Sequence, residues 1–103
     1  MSVPNAQQRS ALIEKLSAEV AVVPWSALES HAKRGSLFMI DQGLDLIEVG
    51  VSIAMDEHDT VATWIEHGLL NRAQIQPEID CAGYRFLIIQ PFVIAAPLLL
   101  PNH

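Results

Sequence analysis

The sequence is poor in cysteine and in basic residues, and each shortage excludes a class of protein. Cys81 is the single cysteine among the 103 residues, so no disulfide can form within the chain. Six lysine and arginine residues stand against twelve acidic ones, and the stretch between Gly35 and Asn71 has seven carboxylates and no lysine or arginine. A surface of this charge repels phosphate groups, so we expect neither nucleic acid nor an anionic membrane as a partner.

Long apolar runs and targeting signals are missing as well. The most apolar segment, "FLIIQPFVIAAPLLL", is interrupted by Gln90, Pro91 and Pro97 before it reaches the roughly 20 apolar residues that a membrane-spanning helix needs. Residues 1–10 have neither the basic start nor the apolar region of a secretory signal peptide. Since a chain with one cysteine also suits a reducing compartment, we expect a cytoplasmic protein.

The composition that remains is typical of a globular domain. Half of the residues are apolar and 17% are charged, unlike the polar, charge-rich composition of disordered chains. A chain of this length can bury roughly two thirds of its unfolded surface, and no repeat or linker divides it. We therefore predict one domain over residues 1–103, with residues 1–6 flexible and residues 97–103 forming a tail.

Apolar residues at helical spacing predict two helices in the first third of the chain. The first covers about residues 7–20, and "AVVPW" ends it because the residue before Pro24 avoids the helical region. The second begins at Ser26, whose hydroxyl forms a capping box with Glu29 three residues later. It ends at Gly35, since glycine readily adopts the left-handed conformation that terminates a helix.

The segment "LDLIEVGVSIAMD", residues 44–56, fits both a strand and a helix. Its alternating apolar residues favour a strand that returns after the turn residues "DQG". Asp45 and Glu48 instead form a capping pair at the start of a helix, on which Gly50 would let a neighbouring element approach closely. We predict the helix, beginning at Asp45, and keep the strand as the alternative.

A fourth helix and a few strands complete the predicted elements. The helix is capped by Asp59 or Thr60 and ends at Gly68, and residues 71–83 form a loop. Apolar and aromatic runs predict two strands, with a third as an option, at residues 36–40, 84–90 and 92–96. The predicted fold class is α+β, with four helices packed on a two- or three-stranded sheet. A helical pair joins the first two strands, which permits them to run parallel.

Five segments, in their order and spacing, resemble one known family. They are "VPWSALESH", "RGSLFMI", "LDLIEVGVSIAMD", "VATWIEHGLL" and "FLIIQPFVI". Over residues 16–94 the chain is similar to small bacterial proteins grouped as domain of unknown function 2288. Phe92 stands where the family pattern suggests a tryptophan, and the ending "AAPLLLPNH" is less polar than that pattern. The resemblance implies a small bacterial domain and brings no reaction, ligand or catalytic residue.

Histidines near the fourth helix raise the question of a metal site. His58 and His67 lie among four carboxylates, and zinc or a similar ion can use such ligands. Helical metal ligands usually lie three or four residues apart, whereas these lie nine apart, so a solvated helix-end cluster is favoured. Capping likewise explains Asp45 and Glu48 better than acid–base catalysis does. We predict no bound metal, no cofactor and no catalytic residue.

Two further sets of residues are candidate binding surfaces. The first, for a small-molecule pocket between the helices and the sheet, comprises Trp25, Asp45, Glu48, Trp64 and Gln90, of which the tryptophans also suit the core. The second, for a protein interface on the uncharged C-terminal segment, comprises Phe92, Val93, Ile94, Leu98 and Leu99. We predict a non-enzymatic module that binds a protein partner or forms a homodimer. The alternative is a small metal-dependent hydrolase or a ligand-binding protein that uses the acidic rim.

Overall fold

The computed structural model describes residues 5–78 and 81–99, which form four helices and five strands. In chain order these are α1 (Asn5–Glu19), β1 (Ala21–Val23), α2 (Trp25–Lys33), β2 (Leu37–Ile40), α3 (Leu46–Ala54), α4 (His58–Glu66), β3 (Leu70–Arg72), β4 (Cys81–Ile89) and β5 (Phe92–Leu99). The α+β class is confirmed, and the sheet is larger than predicted. Helix α1 begins inside the segment predicted to be flexible, of which residues 1–4 lie outside the described ranges. Within those ranges no helix is both long and apolar enough to cross a bilayer.

The central strand of the sheet is β5. The strand order is β1-β4-β5-β2-β3, with β5 antiparallel to β4 and parallel to β2. The edge strands β1 and β3 each pair antiparallel with their neighbour. The parallel pairing that the helical connection permitted between segments 36–40 and 84–90 does not occur, because β5 lies between β2 and β4. Only Gln90 and Pro91 separate β4 from β5, so these strands form a hairpin, and β5 occupies the position beside β2.

The sequence patterns did not predict two of the strands and the ends of two others. Strand β1 lies in the segment interpreted as a helix break, and β3 lies at the edge of the predicted loop 71–83. Each has three residues, too few to display the period of two that identifies a strand. Strand β4 begins at Cys81, inside the same predicted loop. Strand β5 continues to Leu99, so residues 97–99 of the predicted tail are strand, and residues 100–103 lie outside the described ranges.

Helix α3 begins as predicted, at Asp45. The Asp45 backbone is extended, with φ −91° and ψ 129°, and its carboxylate Oδ2 accepts a hydrogen bond from the Glu48 N–H at 3.0 Å. This bond satisfies one of the N–H groups that a helix start leaves without a partner. The nine residues Leu46–Ala54 are helical, so the strand alternative for residues 44–56 is wrong.

Two glycines end helices α2 and α4 in the left-handed conformation. Gly35 has a φ of +78° and Gly68 a φ of +74°. At the end of α4, the Gly68 N–H bonds the Ile65 carbonyl at 3.1 Å, and the Leu69 N–H bonds the Trp64 carbonyl at 2.9 Å. This pair of hydrogen bonds is the Schellman motif. Both predicted helix ends are confirmed.

The start of α2 differs from the prediction. The helix begins at Trp25, one residue before the predicted cap at Ser26, and no side chain caps it. Pro24 takes the cap position, with φ −76°, and its carbonyl accepts a hydrogen bond from the Ala27 N–H at 3.1 Å. Proline suits the entry to a helix because its fixed φ is preorganised and it has no N–H to satisfy. The predicted capping box is therefore wrong.

The start of α4 is also earlier than predicted. The helix begins at His58, after Glu57, and not after a side-chain cap at Asp59 or Thr60. The Glu57 N–H bonds the Ser52 carbonyl at 2.9 Å, so the chain turns as soon as α3 ends. The backbone of this tight turn, and not a capping side chain, opens the helix.

The helices cover both faces of the sheet. Helices α1, α3 and α4 lie on one side, around a core formed by Leu16, Ile40, Leu46, Val49, Val51, Leu70, Leu87, Ile89, Ile94 and Ala96. Helix α2 lies on the other, around Leu28, Ala32, Leu37, Tyr84, Val93 and Ala95. Alternate residues of the central strands point to the two cores, as expected of a sheet between two layers.

Gly50 sets the distance between α3 and its neighbours. A Cβ atom at this position would lie 3.1 Å from Leu16 Cδ1 and 3.2 Å from Leu87 Cδ1. Both distances are shorter than ordinary van der Waals contacts, so glycine lets α3 rest this closely on α1 and β4. The predicted close approach at Gly50 is confirmed.

Replacing Gly50 by valine should lower the free energy of unfolding by about 2 kcal/mol, because three added carbon atoms must displace Leu16 and Leu87. Ala54→Val, at an exposed position of the same helix, is the control and should cost less than about 1 kcal/mol. Urea unfolding followed by circular dichroism measures both effects. Equal losses in the two variants would contradict the close approach.

Candidate functional site

A pocket of about 200 Å³ lies between helices α3 and α4 and the sheet. Its lining comes from parts of the chain that are far apart in the sequence: Phe38, Ser52, Ile53, Asp56, Glu57, His58, Val61, Ile65, Leu70 and Phe92. A cavity of about 150 Å³ accepts benzene, and most small-molecule sites measure roughly 300–1,000 Å³. The pocket therefore has room for one ring or one branched alkyl group.

Two phenylalanines form the sheet side of the pocket. Phe38 on β2 and Phe92 on β5 pack edge to face, with ring centroids 5.6 Å apart and ring planes at 82°. The parallel register brings them together, since Phe38 pairs with Ile94, which lies two residues beyond Phe92 on the same face. Phe92 keeps 37% of its surface exposed, so this side of the pocket is open to solvent.

Ser52 is the buried polar residue of the pocket. It lies on α3 between apolar neighbours, is 1% exposed, and its hydroxyl oxygen has no hydrogen-bond partner among the described residues. Burying a hydroxyl without a partner costs about 1–3 kcal/mol, so such a group requires an explanation. The neighbouring Glu57 supplies one, because the Ser52 hydroxyl favours its ionised carboxylate and lowers its pKa.

The turn between α3 and α4 places two carboxylates at the rim of the pocket. Asp56 adopts the left-handed conformation, with φ +55°, and its side chain is exposed. Glu57 follows it, and its Oε2 accepts a hydrogen bond from Arg9 Nη1 on α1 at 2.8 Å. An ion pair this close to solvent stabilises a fold by at most about 1 kcal/mol, so its main effect is to hold α1 against the rim.

The surroundings of Glu57 lower the pKa of its carboxyl below the usual value. The largest effect comes from the Ser52 hydroxyl, partial desolvation of the carboxylate opposes it, and the Arg9 guanidinium adds a further lowering. The Ser52 hydroxyl is therefore an electrostatic neighbour of Glu57, although its position does not satisfy the distance and angles of a hydrogen bond. Glu57 is consequently ionised at neutral pH, and the rim is negatively charged.

Tyr84 has the other buried hydroxyl without a hydrogen-bond partner in the described ranges. Burial raises its pKa, and the Cys81 thiol adds to that effect. The ring packs edge to face against Trp25 under α2, with centroids 5.9 Å apart, and does not line the pocket. Tyr84 thus belongs to the core on the opposite face of the sheet.

The two histidines predicted as weak metal ligands do not meet. His58 lines the pocket, whereas His67 is exposed at the far end of α4. Within residues 5–78 and 81–99, no group of three or more histidine, cysteine, aspartate or glutamate side chains has a geometry that could hold a metal ion. The arrangement that the structure does form at α3 and α4 is apolar with an acidic rim.

The five residues predicted to form a pocket lie apart from one another. Trp25 packs on the far side of the sheet under α2, and Trp64 packs against the core on the near side. Asp45 and Glu48 line a separate groove beside α1, and Gln90 lies in the turn between β4 and β5. The prediction that they share one pocket is wrong, because their elements face different layers of the fold.

The apolar C-terminal segment is covered by the protein itself. Val93 and Ile94 are 2% and 0% exposed, because β5 is the middle strand of a sheet with helices on both faces. These two residues cannot contact a partner, so their assignment to an interface is wrong. Phe92, Leu98 and Leu99 are 37%, 38% and 41% exposed. Phe92 and Leu98 are six positions apart on β5, about 20 Å, so the three do not form one patch.

Sequence patterns did not identify the residues that do form the pocket. Phe38 and Phe92 belong to strands whose pairing was not predicted, and Ser52 was not singled out. The signal that was available is a serine in the middle of the apolar run "VGVSIA". A polar residue at a buried helix position is informative because it needs a partner.

Ser52→Ala should raise the free energy of unfolding by about 1 kcal/mol, because it removes a buried hydroxyl that has no partner and adds a better helix former. Ser30→Ala, at an exposed position of α2, is the matched control and should gain less than about 0.5 kcal/mol. Urea unfolding of both variants measures the difference. A loss of stability in Ser52→Ala would show that the hydroxyl has a partner within the fold.

Glu57→Gln should remove a pH-dependent part of the stability. Because the pKa of Glu57 is lowered from 4.5 in the folded state, its ionised form stabilises the fold above that pH. This stabilisation is lost as the pH falls through the lowered folded pKa. The difference in urea midpoint between the parent protein and the variant should therefore be constant near neutral pH and shrink below pH 4.5. A difference that persists unchanged into strong acid would refute the lowered pKa.

Comparisons with known proteins agree with this fold. The NMR solution structure of PA1075 from Pseudomonas aeruginosa is similar to the chain, with a TM-score of 0.72 and 29% sequence identity over 91% of this chain and 93% of that one. No curated protein matches the chain. The family model described as "Protein of unknown function (DUF2288)" matches residues 11–97, from helix α1 to strand β5. The protein therefore belongs to the DUF2288 family, as the resemblance of its segments predicts.

Proposed function

We propose that the protein is a non-enzymatic binding protein whose pocket receives a small apolar molecule. One observation carries the proposal: a largely apolar pocket between α3, α4 and the sheet opens to solvent beside the partly exposed Phe92. An apolar lining with a few placed polar groups is the usual composition of a ligand site. The molecule would fill the space beside Phe38 and Phe92.

The volume limits the size and the affinity of the ligand. A space of about 200 Å³ admits roughly seven to nine non-hydrogen atoms, since a cavity of about 150 Å³ holds benzene. Small ligands gain between about 0.3 and 1.5 kcal/mol per atom, so a compound of this size binds with a dissociation constant on the order of 10 mM or lower. The ligand is therefore a small metabolite, or the apolar end of a longer one.

The pocket lacks the contacts that a hydrolase requires. A serine nucleophile needs a base within hydrogen-bond distance to accept its proton. Asp56 and His58 also line the pocket, yet the Ser52 oxygen has no partner within the described ranges, and the 2.9 Å bond between Asp56 and His58 joins backbone atoms. The metal-dependent hydrolase stays a prediction, and this geometry does not favour it.

The interaction module based on the C-terminal segment also stays a prediction. Its motivation was an uncharged segment that needed cover, and the central position of β5 provides that cover. Of the three residues that remain exposed, Phe92 alone adjoins the pocket. Phe92 is thus better explained as part of a small-molecule site than as part of a contact between two copies of the chain.

Titration with toluene and benzyl alcohol, followed by ¹H–¹⁵N NMR of the full chain, tests the proposal. Both compounds should shift the amide signals of α3, α4 and the strands that carry Phe38 and Phe92, with dissociation constants on the order of 1 mM. Val61→Phe fills the pocket with a ring and should weaken binding by about tenfold or more.

Val22→Phe is the matched control, because Val22 is 54% exposed on β1 and does not line the pocket. It should leave both affinities unchanged. Circular dichroism confirms that the two variants fold. Equal binding by both variants, or signal shifts spread over the whole surface, would show that the pocket is not the binding site.

A further inference from the structure

We infer that Cys81 is a modification site, at which a peroxide oxidises the thiol to sulfenic acid and a small thiol then caps it as a mixed disulfide. The site lies on the face of the sheet that α2 covers, opposite the pocket, so it does not depend on whether the pocket binds a ligand. Three features of the structure support it: a β-bulge, a buried hydroxyl and an open end of the sheet.

A β-bulge turns the Cys81 side chain toward the layer of α2. Cys81 pairs with Leu99, and Gly83 pairs with Leu98. Strand β4 therefore has one residue more than β5 between these two pairs. Because side chains alternate between the faces of a strand, the extra residue places Cys81 on the same face as Tyr84, three positions along. Gly83 makes the bulge possible, since residues with a Cβ atom rarely adopt its φ of +156°.

The Tyr84 hydroxyl is a hydrogen-bond donor beside the Cys81 sulfur. Tyr84 is 2% exposed, and its hydroxyl oxygen has no hydrogen-bond partner in the described part of the chain. Its electrostatic neighbours are the Cys81 thiol and the Gln76 side chain, and neither meets the distance and angles of a hydrogen bond. Burial raises the pKa of Tyr84, and the thiol raises it further, so the hydroxyl keeps its proton at neutral pH.

An ionised sulfur satisfies this donor better than a neutral thiol does. A thiol is a weak acceptor, whereas a hydrogen bond to an ionised group is roughly twice as strong as one between neutral groups. A buried hydroxyl without a partner is costly, so donation from Tyr84 to the Cys81 thiolate recovers free energy. The thiolate is the nucleophilic form of cysteine and the form that peroxides oxidise.

The Cys81 sulfur is open to small reagents. Its residue is partly exposed. Strand β1 pairs with β4 at residues 84–86, so within residues 5–78 and 81–99 no strand pairs with that side of β4 at Cys81. Leu99, its partner on β5, is 41% exposed. A peroxide can therefore reach the sulfur, while the Tyr84 hydroxyl behind it stays out of contact with water.

The modification proceeds in two balanced steps. The thiolate attacks one oxygen of hydrogen peroxide, the O–O bond breaks, and the other oxygen leaves as hydroxide, so the sulfur is oxidised by two electrons and the peroxide is reduced by two. The sulfur of a small thiol then attacks the sulfenic sulfur, the S–O bond breaks, and the hydroxyl leaves with the proton of the thiol as water. Cys81 is the single cysteine among the 103 residues, so the second thiol comes from another molecule.

Hydrogen peroxide and the sulfenic-acid trap dimedone, followed by mass spectrometry of the full chain, test the first step. Dimedone should add at Cys81 in the parent protein and should not add to Cys81→Ser. Glutathione in place of dimedone tests the second step. The chain should then gain the mass of one glutathione, and dithiothreitol should remove it.

Two variants test the role of the hydroxyl. Tyr84→Phe keeps the ring and removes the donor, and it should slow the peroxide reaction about tenfold, the loss expected for a hydrogen bond to a charged group. The second variant combines Cys81→Ser with Ala11→Cys, which places the thiol at an exposed position of α1. Despite its greater exposure, this thiol should react about tenfold more slowly than Cys81. In urea the two thiols should react alike, and circular dichroism confirms that both variants fold without it.

Three results would overturn the inference. Equal rates in the parent protein and in Tyr84→Phe would show that the hydroxyl does not act on the sulfur. A rate at Cys81 no higher than at position 11 would show an ordinary thiol, and this comparison leaves the core around Tyr84 unchanged. Absence of a dimedone or glutathione adduct on the parent protein would show that Cys81 is not a site of this modification.

Discussion

The contact of Gly50 with Leu16 and Leu87 sets how deeply helix α3 lies on the sheet, and the rest of the structure depends on that depth. The Asp45 cap fixes where the helix begins, and the missing side chain at position 50 fixes how near it comes to α1 and β4. Ser52 follows two residues later on the same helix and lies among the residues that line the pocket. The position of the turn to α4, and with it the acidic rim, follows from where α3 lies and ends.

The C-terminal segment is uncharged and apolar, and the central position of β5 in the sheet explains how it is covered. An uncharged, apolar strand promotes aggregation when it lies at the edge of a sheet or on an exposed surface. Between two strands and two helical layers, such a composition is the usual one. Its neighbours β4 and β2 satisfy its backbone on both sides, while helices cover both of its faces. The segment whose composition suggests a surface for a partner therefore lies in the middle of the sheet.

The sequence predicted the features that local hydrogen bonds determine. The cap at Asp45 and the ends at Gly35 and Gly68 depend on residues within four positions of one another, and all three are present. Where backbone geometry replaces a side-chain cap, as at Pro24 and in the turn before His58, the predicted cap positions were wrong by two or three residues.

The local sequence patterns did not predict which distant segments of the chain pair with each other. The short edge strands carry too few residues for a period, and the neighbours of β5 depend on a hairpin and a crossover that no spacing reveals. The pocket could not be predicted for the same reason, because Phe38, Ser52 and Phe92 come together only when the sheet has formed. The acidic character of the rim was visible in the sequence as a stretch without lysine or arginine, but its position beside a buried hydroxyl was not.

The two tryptophans lie on opposite faces of the sheet, Trp25 with Tyr84 under α2 and Trp64 against the core beneath α1, α3 and α4. Each indole is therefore an intrinsic fluorophore for one layer, and replacing either by phenylalanine leaves an optical probe for the other. The order in which the two helical layers detach from the sheet can thus be observed without attaching any label.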